Sequence, residues 1–139
     1  MKYENLVIEK KEYVILKRVL NLSGFHQDVT LKKSVGSLAR ELEDAKICDE
    51  NKMPKDVVRI NSTVTIASET GWHKTFQLVL PNEGDVKNNK ISLLTPMGAA
   101  VIGYAEGDTV TWEFPAGEQK LTLEKVVQEE KHLNLNMIL

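Results

Sequence analysis

This chain of 139 residues has a single cysteine, Cys48, which excludes any internal disulfide. No run of residues approaches the ~18 to 20 apolar positions that a membrane-spanning helix needs. The start, MKYENLVIEKKEYVIL, holds no uninterrupted apolar core of signal-peptide length, because Glu9, Lys10, Lys11 and Glu12 break it. A cytoplasmic location, with no membrane partner, is the resulting expectation. Basic excess is missing too. The net charge is -2, and direct, specific nucleic-acid binding ordinarily rests on a cationic surface. A protein partner suits this balance better. What remains is ordinary globular material, 42% apolar and 27% charged, enough in one chain of this length to bury a core without metals or crosslinks.

Catalytic signatures are equally scarce. No glycine-rich phosphate loop, nucleophile elbow or zinc-protease helix motif occurs. His26, His73 and His132 lie too far apart in sequence for metal-ligand spacing and read as surface histidines. Cys48 stands on no nucleophile motif and reads as an inert, half-buried thiol. Glu41, Glu43, Asp44, Asp49 and Glu50 form an acidic run; only 41 and 44 share a helical face, so a solvated flank balancing Lys32, Lys33 and Arg40 is the better reading than a metal site. No catalytic residue, metal site or cofactor is therefore expected, and the chain reads as no enzyme.

Two periodicities organise the chain. Tyr13, Ile15, Leu16, Val19 and Leu20 make a helical stripe over 12–22. A turn, LSGFHQDV, follows around Gly24. Leu31, Val35, Leu38, Leu42 and Ala45 then recur in steps of four and three, the pattern of a seam facing another helix. Asp28 or Thr30 can cap this second helix. A short antiparallel helical hairpin is predicted. Pro54 ends that regime. Beyond it Val58, Ile60, Ser62, Val64 and Ile66 alternate with polar residues as a strand does. Further strands are predicted at 74–80, at KISLLTP ending on Pro96, at 109–115 and at 120–128, the last two joined by a five-residue turn, PAGEQ. MGAAVIGY, 97–104, is a short helix packed on a sheet. Trp112 alternates in register with Val110 and Phe114, as a core residue would. The end, QEEKHLNLNMIL, mixes charge with apolar residues and is expected to fray. Strands clustered around one helix favour an α+β class over a doubly wound sheet.

Three segments carry a resemblance. AKICDENKMPKDVVRINSTVTI, 45–66, is similar to the junction between hairpin and sheet in Rnk, a relative of the Gre transcript-cleavage factors. ISLLTPMGAAVIGYAEGDTVTWEFPAG, 91–117, resembles that family's strand, proline, short helix, Gly-Asp and strand. KLTLEKVVQ resembles its closing strand. Together they cover residues 45–128 in consistent order. The resemblance implies an N-terminal helical hairpin, or coiled coil, over 1–52, and an FKBP-like antiparallel β-sheet domain with one short helix over 53–139. It also implies docking on bacterial RNA polymerase at the mouth of the secondary channel.

Gre factors carry paired acids at the hairpin tip, because a second Mg²⁺ keeps most of its waters and gains little from one ligand. Here the turn holds only Asp28, which can equally serve as a helix cap. Helices of ~12 to 17 residues span only ~18 to 26 Å, short of a Gre arm. The expectation is a polymerase-binding factor that does not stimulate cleavage. By the resemblance, the docking loop would be Thr95, Pro96, Met97 and Gly98; alternatively these four simply end a strand and cap a helix. Two other functions stay open at this point, a prolyl isomerase of the FKBP type and an active cleavage factor using Asp28. The isomerase would need several of Trp72, Phe76, Tyr104, Trp112 and Phe114 around one pocket.

Overall fold

In a computed structural model, residues 1–22, 29–114 and 117–129 are described. The first strand, β1 (Val7–Glu9), runs straight into α1 (Lys10–Leu22), and α2 (Val29–Glu43) leads to β2 (Lys46–Cys48). β1 and β2 pair in parallel, Val7 opposite Lys46 and Glu9 opposite Cys48, so the two ends of the helical region are tied side by side. The sequence does not announce this pair, because a three-residue strand is too short to display a period of two. Its importance lies in burial: Leu6, Val7 and Ile8 are all within the core.

A second sheet of five strands follows. β3 (Thr63–Ser68), β4 (His73–Val79), β5 (Lys90–Ser92), β6 (Thr109–Phe114) and β7 (Gly117–Val127) lie in the order β5-β4-β3-β7-β6. The sheet is mostly antiparallel, with one departure from the expected arrangement. β5 runs parallel to β4, Gln77 opposite Lys90, after a connection of two single-turn 3₁₀ helices over 81–88. Only three residues of the predicted third strand pair, since Leu93 and Leu94 already turn toward α3 (Pro96–Val101).

The predicted strand over 58–66 is corrected at its start. Val58, Ile60, Ser62, Val64 and Ile66 are all buried, as their alternation demands. Yet Asn61 turns at a φ of 76°, and pairing begins only at Thr63. The β6–β7 turn is shorter than PAGEQ. The ladder runs on to Phe114 opposite Gly117, so Gly117, Glu118 and Gln119 belong to a strand. β7 also carries a bulge, the register against β3 jumping from Lys125 at Thr65 to Leu123 at Ile66.

One apolar cluster links helices and sheet, with Ile15, Leu16, Val19, Leu38 and Leu42 packed among Val64, Ile66, Phe76, Leu78, Leu121 and Leu123. Of the predicted seam, Leu38 and Leu42 are buried, and Val35 and Ala45 are half-buried. Among the described residues no helix is long and apolar enough to cross a membrane.

Candidate functional site

The β5–α3 corner holds all four residues expected to dock. Thr95 is in extended backbone and caps α3, its Oγ1 accepting from the Gly98 N–H at 3.1 Å and donating to the Ser92 carbonyl at 2.7 Å. Pro96 occupies the first helical turn, where its missing N–H costs nothing. Gly98 is buried against the preceding strand end. A Cβ there would stand 2.3 Å from the Ser92 carbonyl oxygen and 3.1 Å from Leu78 Cδ1. Met97 is half-buried and packs on the core. Thr95 and Gly98 thus shape the corner, while Pro96 and Met97 present partial surface from it. Thr95→Ala is expected to lower stability by about 0.5–2 kcal/mol and Thr95→Ser to restore it, read from urea midpoints.

Pro96 opens onto a groove of about 530 Å³ between α2, α3 and β6, lined also by Lys33, Ser37, Glu41, Ala99, Ala100, Tyr104 and Trp112. One wall is fixed by Tyr104, whose hydroxyl donates to Glu41 Oε2 at 2.7 Å. Burial and the Glu41 carboxylate hold that phenol above its usual range, so it remains a donor at neutral pH. Trp112, whose alternation in sequence points to the core, is only half-buried and lines this groove. Of the other aromatics considered for a proline pocket, Phe76 is 1% exposed in the core and Trp72 packs half-buried against it. Among the described residues the groove thus gathers Tyr104 and Trp112. Asp28, and with it the turn expected to form the tip, lies outside the described residues, whereas Thr30, the other expected cap, is already inside α2.

A second constellation has no counterpart in the sequence reading. Glu12 of α1 is buried, and its Oε1 accepts the Ile60 N–H at 2.9 Å while Oε2 accepts Arg59 Nε at 2.6 Å. Arg59 then reaches outward with both terminal nitrogens to Glu50, at 2.5 and 2.9 Å. Glu9 caps the same helix, its Oε2 accepting the Glu12 N–H at 2.9 Å. Burial pushes the Glu12 carboxyl above the ordinary carboxylate value of 4.5, with Arg59 working the other way. In sequence, Glu12 looks like an interruption of an apolar run and Arg59 like the solvent side of a strand. Only the carboxylate on the apolar side of α1, next to Ile15 and Leu16, hints that it needs a cation. Among the described residues no group of three or more His, Cys, Asp or Glu is placed to hold a metal ion.

Residues 53–128 match the family model described as transcription elongation factor, GreA/GreB, C-term. The chain is 37% identical over 82 residues to the regulator of nucleoside diphosphate kinase of Escherichia coli K12, a match taking in 58% of this chain and 60% of that protein. It is likewise 37% identical over 94 residues to transcription elongation factor GreA of Hyphomonas neptunium, covering 67% of this chain and 60% of the relative. These matches span about 60% of the relatives' lengths. Among solved structures, a prokaryotic transcription elongation factor GreA/GreB from Nitrosomonas europaea superposes with a TM-score of 0.71 at 28% identity, over 89% of this chain and 98% of that one.

Proposed function

The chain belongs to the GreA/GreB family, and on that premise we propose that it is a Gre/Rnk-type factor that binds bacterial RNA polymerase and regulates transcription without catalysis of its own. The single observation that carries the reading is the family match over 53–128, the segment that holds the β5–α3 corner and the α3 and β6 sides of the groove. In this reading residues 53–139 form an FKBP-like module that seats at the mouth of the secondary channel through Thr95–Gly98, and residues 1–52 form a helical hairpin that enters it.

The helix lengths support a short reach. α1 has 13 residues and α2 has 15. At 1.5 Å per residue these span ~20 and ~23 Å. Part of that length lies inside the core, where Ile15, Leu16, Leu38 and Leu42 are buried. A prong of this size occupies the channel entrance and stops short of the polymerase active centre. With Asp28 the one carboxylate in its turn, it lacks the paired ligands that a second Mg²⁺ wants. The resulting factor competes with other channel regulators and leaves backtracked transcripts uncut.

The test is retention on immobilised bacterial polymerase together with a cleavage assay on backtracked complexes. The wild-type chain is expected to be retained and to produce no shortened transcript. Met97→Asp should reduce retention at least ~10-fold, about 1.4 kcal/mol of interface energy, while Val86→Asp, at a residue 73% exposed on the β4–β5 connection, leaves it unchanged. Thermal melts of both variants separate lost docking from lost folding. Equal retention of Met97→Asp and wild type would move the docking surface elsewhere. Cleavage abolished by Asp28→Ala would make the chain an active Gre-type factor.

A further inference from the structure

α1 turns two unlike sides to its surroundings. Glu12, Ile15, Leu16 and Val19 are buried on one. On the other, Lys10, Lys11, Val14, Lys17, Arg18 and Asn21 are all exposed. On a helix the surface neighbours of position 14 are those three and four residues away, here 10, 11, 17 and 18. All four are cations. Val14, 48% exposed, therefore stands inside a ring of positive charge, with one pair of cations toward each end of the helix. The two pairs are ~10 Å apart along the axis, at 1.5 Å per residue.

No nearby carboxylate serves this face. Glu9 and Glu12 are buried and committed elsewhere, Glu9 to the Glu12 N–H and Glu12 to Arg59 and the Ile60 N–H. Among the described residues none of the four cations is in an ion pair. Val14 gains little from packing within the fold, and valine is a poorer helix former than alanine or lysine. An apolar centre inside a charged rim is the anatomy of a small protein interface. Its complement is acidic. The chain carries -2 in all, so the residues outside this face carry -6, and that remainder repels a nucleic acid that the four cations would attract. A phosphate backbone also has nothing apolar for Val14 to cover. A protein surface with carboxylates around an apolar side chain offers both.

We propose that the outward face of α1 binds an acidic protein surface of the polymerase, with Val14 on an apolar side chain and Lys10, Lys11, Lys17 and Arg18 paired with the carboxylates around it. This rests on the polymerase reading above. It adds a second point of attachment, on the helical region rather than at the β5–α3 corner.

The test is retention of the full chain on immobilised core polymerase that carries no nucleic acid, at low and at raised salt. Lys10→Glu/Lys17→Glu should lower retention at least ~10-fold at low salt, with the gap closing as salt screens the pairs. Lys11→Glu/Arg18→Glu, on the other flank of Val14, should do the same. Val14→Gln, which leaves the charge unchanged, should lower it at least ~3-fold. Lys87→Glu/Lys125→Glu, an equal charge change at exposed positions away from α1, leaves it unchanged. Thermal melts of every variant are expected to match wild type, because the substituted side chains are exposed. Equal retention of wild type and both α1 charge-reversed proteins overturns the inference and leaves the polymerase reading standing. Failure of wild type itself to be retained overturns that reading, and this inference with it. A loss confined to complexes that carry RNA, with Val14→Gln equal to wild type, would make the face a nucleic-acid contact and overturn the proposal.

Discussion

Arg59→Ala lowers the stability of the fold by about 3–5 kcal/mol, the cost of leaving a buried carboxylate without its partner. Glu12 is 5% exposed and Arg59 16%, so neither charge regains much solvent when the other is cut away. Both Glu12 oxygens are committed, one to the Ile60 N–H and one to Arg59. The guanidinium is needed for its shape. It meets Glu12 through Nε and Nη2 while Nη1 and Nη2 fork onto Glu50, and Arg59→Lys, with one ammonium, satisfies only one carboxylate and falls between alanine and wild type. Removing both buried charges, in Glu12→Gln/Arg59→Met, recovers most of the loss, because the new carboxamide keeps an acceptor for the Ile60 N–H and the methionine replaces the stem. Denaturant midpoints decide it. A loss of about 1 kcal/mol or less, the size of an exposed pair, would show that the clamp carries no weight.

The pH dependence of Arg59→Ala has a definite sign. Burial already holds the folded Glu12 carboxyl above its ordinary value of 4.5, and removal of Arg59 takes away the cation that opposes burial. A carboxyl whose folded pKa lies above its unfolded one binds a proton on folding, so its penalty is present when it is ionised and relieved on protonation. The deficit of Arg59→Ala relative to wild type is therefore largest at neutral pH and shrinks as pH falls toward 4.5. The same clamp matters to the proposed function, since it ties the first turn of α1 to the segment entering β3 and so fixes the direction of the helices against the sheet.

What could be read from the chain alone was whatever periodicity expresses. The stripes through Ile15, Leu16, Leu38 and Leu42, and the alternation through Val58, Ile60, Val64 and Ile66, marked buried faces correctly because burial is what imposes the period. Strand limits were less visible. The left-handed turn at Asn61 delays pairing until Thr63 without disturbing which side chains face inward, so composition carries no trace of it. β1 and β2 owe their existence to each other across 36 residues of intervening chain, 10–45, and parallel pairing at that distance leaves no local mark. The corner proposed to dock was legible as a Thr-Pro-Met-Gly string. Its division into shaping and presenting residues was not, since that depends on how closely Ser92 approaches Gly98. Arg59 was hidden for a related reason. Its partner lies 47 positions away on another element.

Gly98→Ala is the second large effect expected, and it separates the corner's shape from its surface. The new methyl would lie 2.3 Å from the Ser92 carbonyl oxygen, a backbone atom already held by the Thr95 hydroxyl at 2.7 Å. Leu78 Cδ1 and Leu93 Cα, each 3.1 Å away, close the alternative directions. With backbone on one side and core on two others, relief requires α3 to move off β5, which breaks the cap. Overpacking of this kind costs about 1–3 kcal/mol, and a backbone obstacle places the expected loss at the upper end. Because α3 forms one wall of the groove through Ala99 and Ala100, its displacement should also reduce polymerase retention, whereas Thr95→Ser, with the cap intact, should not. An unchanged urea midpoint for Gly98→Ala would mean that α3 is free to slide on the sheet, and that the corner is too soft to serve as a rigid docking element.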